Sequence, residues 1–260
     1  MDYILIGEKR LMYTLLVFAA AIVFSAGVVS RGTGLGVETY KVIGIGTLYG
    51  SFGCLVIIAI STLFGEGFSS QINQNIDIMS SMLAENAEYA KLFGLDNMST
   101  AEMTEFYRKL YQTMALLLPS VFIIWSAVAA YAECAAAHRI LRKKDSGFRK
   151  MKPVREFSLT RSGLIGWVAV SMLAWVLNYA EVFSFSEAVN ANVYVLFRAV
   201  FAFQGISLIA YIFHMRGWPR PLWVILTVIL MVSNIGSTVL YVSGIVDALV
   251  NLKGKIGVRV

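Results

Sequence analysis

Long apolar runs alternate with polar intervals along this chain. Five runs approach the roughly 20 residues that a helix needs to cross the hydrocarbon layer of a bilayer. They are predicted at residues 11–29, 42–64, 114–137, 163–183 and 191–214. A further apolar stretch, residues 222–252, is long for one span and short for two. It is either a single span or a hairpin broken near residues 233–237, and we prefer the hairpin.

The longest polar interval, residues 65–112, has the pattern of amphipathic helices. Its apolar residues recur at spacings of three, four and seven, at Ile72, Ile76, Met79, Leu83, Ala90 and Phe93. Gly94 is placed to end this helix, and Ser99 with Glu102 forms a capping box for the next one. These signals predict a helical hairpin on or near the membrane surface.

The distribution of charge predicts how the spans are oriented. Residues 139–161 hold nine Lys or Arg against two acids, whereas residues 65–112 hold three against seven acids. The positive-inside rule therefore places a basic loop, residues 139–162, in the cytoplasm and the hairpin outside. A helix that starts near Ser99 would leave an acidic surface, cross the bilayer and end in this basic segment. Because the net charge of +6 is concentrated there, we expect a membrane loop and no nucleic-acid partner.

Composition agrees with a membrane protein, since 58% of residues are apolar and 15% charged, against about a quarter charged in soluble domains. We predict an all-α protein of the bacterial cytoplasmic membrane, a polytopic transmembrane helix bundle of about six to seven membrane segments with an extracytoplasmic amphipathic helical hairpin. All 260 residues are assigned to one membrane domain. Cys54 and Cys134 lie in apolar spans without metal-binding spacing, so no metal or cofactor is expected.

Ionisable residues inside a membrane are costly and indicate candidate functional sites. Arg198 lies about two turns into its span, and Glu181 lies near the outer end of the preceding span, one turn after Asn178. One interpretation is an ion pair of Arg198 and Glu181 that holds two helices together. The other is an outward polar pocket that binds a ligand, with Arg198 as the anchor for an anion and Asn178 as a hydrogen-bond partner. Gln204 and Asn234 either join helices or line the same pocket.

Gly46 and Gly50 form a Gly-x-x-x-Gly pair, which lets a neighbouring helix approach closely. Internal packing and a docking face for a partner or a second copy are the two interpretations. The sequence contains no His-Glu-x-x-His or Gly-x-Ser-x-Gly motif. We therefore expect a protein that is not an enzyme.

Several short motifs carry a resemblance to a known family. They are Leu118-Pro119, the basic run from Arg139 to Lys144, Arg155-Glu156-Phe157-Ser158-Leu159, Phe203-Gln204-Gly205 and Gly244-Ile245-Val246-Asp247. From about Gly27 onward the chain resembles the YybS-like family of predicted bacterial membrane proteins, a domain of unknown function. Members are usually longer at the N-terminus, which implies that early spans are missing here. The family is more distantly similar to the substrate-binding subunits of energy-coupling-factor transporters. Those subunits dock through Ala-x-x-x-Ala, a spacing that the first span lacks.

Two functions follow from these patterns. The first is a transporter-like subunit that binds a small solute from outside. The alternative is a membrane interaction or assembly protein, which docks a partner through its Gly-rich helix face or its basic loop. A polar enclosed pocket would favour the first function, and a packed interior with an exposed apolar groove would favour the second.

Overall fold

The computed structural model describes residues 2–64, 74, 78, 98–144, 151–183 and 185–257. Within these ranges the regular backbone is helical and contains no strand, which confirms the predicted all-α class. The chain forms two compact units, residues 1–144 and 145–260, and each is described by itself. The assignment of all 260 residues to one membrane domain stays a prediction.

Three long helices make up most of the described part of the first unit. They are α1 (Asp2–Gly34), α2 (Thr39–Phe64) and α3 (Thr100–Lys144). Gly36 adopts a left-handed backbone with φ of 69° in the turn between α1 and α2, a conformation that glycine allows without steric cost. Apolar side chains from all three helices fill two interior clusters, Val29, Val42, Ala130 and Cys134 in one and Ala21, Cys54 and Phe122 in the other.

Helix α3 confirms the expected continuous path from the acidic segment to the basic one. Its 45 residues span about 67 Å at 1.5 Å per residue, roughly twice the hydrocarbon thickness. The helix begins at the predicted capping box, in which Glu102 Oε2 accepts from the Ser99 amide at 2.7 Å. The second arm of the predicted hairpin is therefore the first part of α3. The first arm falls almost wholly outside the described residues.

The second unit is built around one central helix. It contains a 3-10 turn (Val154–Glu156), α4 (Arg161–Tyr179), α5 (Ser186–Met215), α6 (Arg220–Val232), α7 (Asn234–Val250) and α8 (Leu252–Gly257). Helix α5 packs against α4, α6 and α7. Leu164, Phe201 and Ala248, one each from α4, α5 and α7, form its buried apolar cluster.

The last apolar stretch is broken, as the preferred hairpin requires. Helices α6 and α7 meet at Ser233 with a bend of 113°, and the Ser233 hydroxyl caps α7 by accepting from the Gly236 amide at 3.0 Å. Among the described residues, five helices are long and apolar enough to cross a membrane, or six if the bent pair is one broken span. With the bent pair counted as one segment, the described residues hold six, which agrees with the predicted count of about six to seven.

The predicted basic loop is helical at both of its ends. Helix α3 continues through Arg139 to Lys144, and α4 begins at Arg161. Residues 145–150 lie outside the described part of the chain. The location of the predicted loop, residues 139–162, in the cytoplasm stays a prediction.

Candidate functional site

Helices α5 and α7 cross with their backbones in direct contact. A Cβ atom added to Gly244 would overlap the carbonyl oxygen of Phe201 and lie 2.9 Å from the amide nitrogen of Gly205. One added to Gly205 would overlap the carbonyl oxygen of Leu240. Only glycine at both positions permits this separation, because any larger residue places carbon where backbone already lies.

A buried polar cluster lies beside this crossing and is centred on Asp247. One carboxylate oxygen accepts from the Lys253 amide at 3.2 Å. The other accepts from the Gln204 side-chain amide and lies 3.5 Å from the Lys253 ammonium nitrogen. Asp247 and Lys253 are only 3% and 9% exposed. Both oxygens of the Asp247 carboxylate therefore have partners inside the unit, and these partners offset the cost of burying a charge.

Lys253 donates two hydrogen bonds besides its ion pair with Asp247. They go to the Ser207 hydroxyl at 2.7 Å and to the Phe157 carbonyl. Burial lowers the pKa of the Lys253 ammonium, and the nearby Asp247 carboxylate offsets part of that shift. The buried ammonium group therefore has one anionic and two neutral partners.

The same cluster holds residues 154–159, a segment of the predicted basic loop, which we call the strap. The Gln204 side-chain oxygen accepts from the Leu159 amide at 3.0 Å. The Ser207 hydroxyl lies 2.6 Å from the Val154 carbonyl and 2.8 Å from the Phe157 carbonyl. The Phe157 ring packs edge-on against Phe203, with 4.8 Å between ring centroids. Three motifs of the sequence resemblance therefore meet at one place.

Sequence analysis named Gln204 as a candidate and Asp247 as part of a family motif, but it missed Lys253 and Ser207. Lys253 follows Asp247 by six residues, a spacing that puts side chains on different faces of a continuous helix. Asn251 ends α7 in the left-handed conformation, with φ of 50°, and this turn brings Lys253 back onto Asp247. Asn tolerates that backbone better than most residues. The signal in the sequence that could have indicated this turn is Asn251, which stands between the apolar stretch and Lys253.

Arg198 occupies a different environment nearer the N-terminal end of α5. Its guanidinium lies 5.9 Å from the ring centroid of Tyr194 and 5.8 Å from that of Tyr241. It also donates to the Ser237 hydroxyl at 3.4 Å. The group is half-buried and lies between two aromatic faces that attract a cation.

The predicted ion pair of Arg198 with Glu181 is wrong for this structure, since no ion pair joins these two described residues. Glu181 lies in the turn after α4, in the left-handed region with φ of 48°, and its side chain is exposed. Arg198 instead extends toward α7. Because Glu181 lies in this turn and not on α4 itself, its position along the chain did not predict the direction of its side chain.

None of the other predicted ligand residues is among the described contacts of the Arg198 guanidinium. Asn178 is half-buried near the end of α4, and Asn234 is exposed at the start of α7, one turn before Ser237. Gln204 is fully buried in the Asp247 cluster. The structure therefore divides the predicted set between the Arg198 environment, the Asp247 cluster and the surface.

Gly46 and Gly50 face the other helices of the first unit. A Cβ on Gly46 would lie 2.6 Å from Val29 Cγ2 and 2.9 Å from Ala130 Cβ. A Cβ on Gly50 would lie 3.0 Å from the Ala21 carbonyl oxygen. This Gly-rich face is thus covered by α1 and α3 within the unit itself.

A second intramembrane carboxylate joins helices of the first unit. The buried Ser25 hydroxyl lies 2.8 and 2.9 Å from the two oxygens of Glu133, and 2.6 Å from the Ala21 carbonyl. Glu133 therefore connects α3 to α1. In the described ranges, no group of three His, Cys, Asp or Glu side chains is arranged as metal ligands.

Long apolar helices with lipid-compatible outer faces define a multi-pass membrane protein. On α4, for example, Ile165, Met172, Leu173 and Trp175 are all exposed, as expected for side chains that contact a bilayer. The chain belongs to the family described as predicted membrane protein (DUF2232), whose family model matches residues 5–248. No curated protein and no solved structure matches the chain significantly.

Proposed function

We propose that this membrane protein is a transporter-like subunit that binds a small anionic solute from outside through Arg198. The observation that carries the proposal is a contrast between two cations of the second unit. Lys253 has the carboxylate of Asp247 beside it. Arg198 has two tyrosine rings and a serine hydroxyl, and no carboxylate of the described residues within ion-pair distance.

An uncompensated guanidinium at membrane depth is expensive. Insertion scales give at least about 2.5–3.5 kcal/mol for a central Arg. Contact with the tyrosine faces offsets part of that cost, since cation–π contacts contribute about 0.5–2 kcal/mol. An anionic solute would supply the missing charge, and the planar guanidinium binds carboxylate or phosphate oxygens in pairs. Ser237 adds a hydroxyl beside the same group.

The outward direction of binding depends on the predicted orientation. In a Cys54→Ala/Cys134→Ala background, a cysteine introduced at Ser80 should react with an impermeant thiol reagent in intact cells. A cysteine at Ser146, in the basic segment, should react only after the membrane is opened. The physical reason is the excess of nine Lys or Arg in residues 139–161. Labelling at Ser146 and protection at Ser80 in intact cells would reverse the orientation.

Arg198→Gln is expected to remove anion-dependent thermal stabilisation from the purified protein. The probes are inorganic phosphate and a panel of small carboxylic acids, each titrated in detergent. A probe at 100 times its Kd stabilises the folded state by about 2.7 kcal/mol, and the variant should lose this gain. Its melting temperature without a probe should change little, because only one 3.4 Å hydrogen bond and two cation–π contacts are lost.

Arg216→Gln is the matched control. Arg216 also lies over an aromatic ring, 5.6 Å from the Trp218 centroid, but it is exposed and just beyond the end of α5. This control should keep the full response to the anion that stabilises the wild-type protein. Equal loss in both variants would mean nonspecific charge screening. A large drop in probe-free melting temperature for Arg198→Gln alone would instead assign Arg198 to helix packing.

A specific observation also favours the alternative, a membrane assembly protein. Helix α7 and the start of α8 line a shallow, largely apolar groove, formed by Thr238, Val239, Val242, Ser243, Val246 and Leu252. Such a groove suits an apolar partner surface. The Gly46 and Gly50 face, by contrast, is already used within its own unit. The anion experiment separates the two proposals, because an assembly protein would show no response that depends on Arg198.

A further inference from the structure

Three side chains hold the backbone of the strap by hydrogen bonds. Gln204 accepts from the Leu159 amide, Ser207 contacts the carbonyls of Val154 and Phe157, and Lys253 donates to the Phe157 carbonyl. The strap itself contains one 3-10 turn. Three side chains contributed by two helices therefore bind its backbone, in addition to the packing of the Phe157 and Leu159 side chains.

Lys253 connects the strap to the buried carboxylate. Its ammonium group donates to Phe157 directly and to Ser207, which in turn reaches the strap, while Asp247 holds its charge. Because Lys253 lies on the short helix α8, its side chain joins α8 to the strap. Because Lys253 bonds to the strap and pairs with the buried carboxylate, we call it the latch of the strap.

The helix crossing beside the strap does not depend on these bonds. Gly205 and Gly244 bring α5 and α7 into backbone contact, and the apolar cluster of Leu164, Phe201 and Ala248 packs the same helices from α4. Apart from Leu159, which packs on that cluster, the strap contributes little to this interior. Its Glu156 and Ser158 side chains are exposed.

We propose that residues 154–159 form a releasable strap, latched by Lys253 and Ser207, which opens as a unit while α5 and α7 stay packed. Opening uncovers Gln204, Ser207, Asp247 and Lys253, a buried polar cluster next to the basic segment. The closed position is set by the Phe157 ring on Phe203 and by the Leu159 side chain. The strap is independent of the proposed solute site, since none of its bonds involves Arg198 or Ser237.

Hydrogen exchange measured by mass spectrometry on the full chain in detergent tests the strap directly. The amide of Leu159 is the reporter, because it donates to the Gln204 side chain in the closed form. The amides of Glu156 and Phe157 donate to carbonyls of the local 3-10 turn and stay bonded when the strap opens as a unit. Ser207→Ala removes one support without leaving a buried charge alone. Asp247→Leu with Lys253→Met removes the latch and its charged partner together. Both variants should accelerate exchange in the strap by about tenfold or more, since each loses bonds that hold it.

Helix α5 provides the internal reference, and Lys255→Met is the matched control. Exchange at residues 200–208 should change less than about twofold in the same samples, as expected for a local opening. Lys255, an exposed lysine on α8, should leave strap exchange unchanged when replaced. Unchanged strap exchange in Ser207→Ala would overturn the proposal. So would equal acceleration of the strap and α5, which would make the cluster a structural support only. If the double variant does not fold, Ser207→Ala decides by the same criteria.

Discussion

Gly244→Ala is expected to remove most of the folded protein. The added methyl group would overlap the Phe201 carbonyl oxygen and lie 2.8 Å from its carbonyl carbon. Backbone atoms inside a helix cannot rotate away, so α5 and α7 must separate. Overpacking typically costs about 1–3 kcal/mol and occasionally more, and we expect at least about 3 kcal/mol here. The measurement is the yield of monodisperse protein in detergent, with its melting temperature.

Gly166→Ala is the control for this substitution. Gly166 lies in α4 of the same unit, and a Cβ added there meets nothing within 4 Å. Because alanine has the higher helix propensity by up to about 1 kcal/mol, this variant should be as stable as the wild type or slightly more so. Wild-type yield for Gly244→Ala would show that the two helices do not cross as closely as described.

Asp247→Leu is expected to have the second large effect. It leaves the Lys253 ammonium buried without its carboxylate, and it leaves the Gln204 side-chain amide without an acceptor. Removing one partner of a buried ion pair typically costs about 3–5 kcal/mol, because the other charge stays desolvated. We expect a correspondingly lower melting temperature and a lower folded yield.

Adding Lys253→Met to Asp247→Leu should restore much of the loss. Replacing a whole buried pair by apolar side chains of similar size is often neutral or stabilising. Lys255→Met, a change of the same type at an exposed site of α8, should leave the stability unaltered. A double variant less stable than Asp247→Leu alone would show that Lys253 stabilises the unit mainly through Ser207 and Phe157.

The two predictions concern neighbouring parts of one arrangement. Gly205 follows Gln204 on α5, and Gly244 precedes Asp247 by less than one turn on α7. The close crossing thus sets the distance at which Gln204 can reach Asp247. Separation of the helices would break that bond and expose a buried charge, which adds to the cost of Gly244→Ala.

The sequence by itself determined the class of the fold and most of its elements. Apolar run length predicts the spans, because hydrocarbon thickness fixes the number of helical residues needed. The Ser99 capping box and the break near Ser233 were also readable, since both depend on residues adjacent in the chain. Local signals of this kind need no information about the rest of the molecule.

Only the tertiary structure decided which polar side chains meet. Helical depth suggested that Arg198 would pair with Glu181, but side-chain direction brings Arg198 to Ser237 and two tyrosines. Lys253 reaches Asp247 only because Asn251 takes a left-handed turn after α7. Contacts between helices depend on the rotation of each helix about its axis and on the distance at which the helices cross. Packing determines both quantities, and the spacing of residues within one segment shows neither.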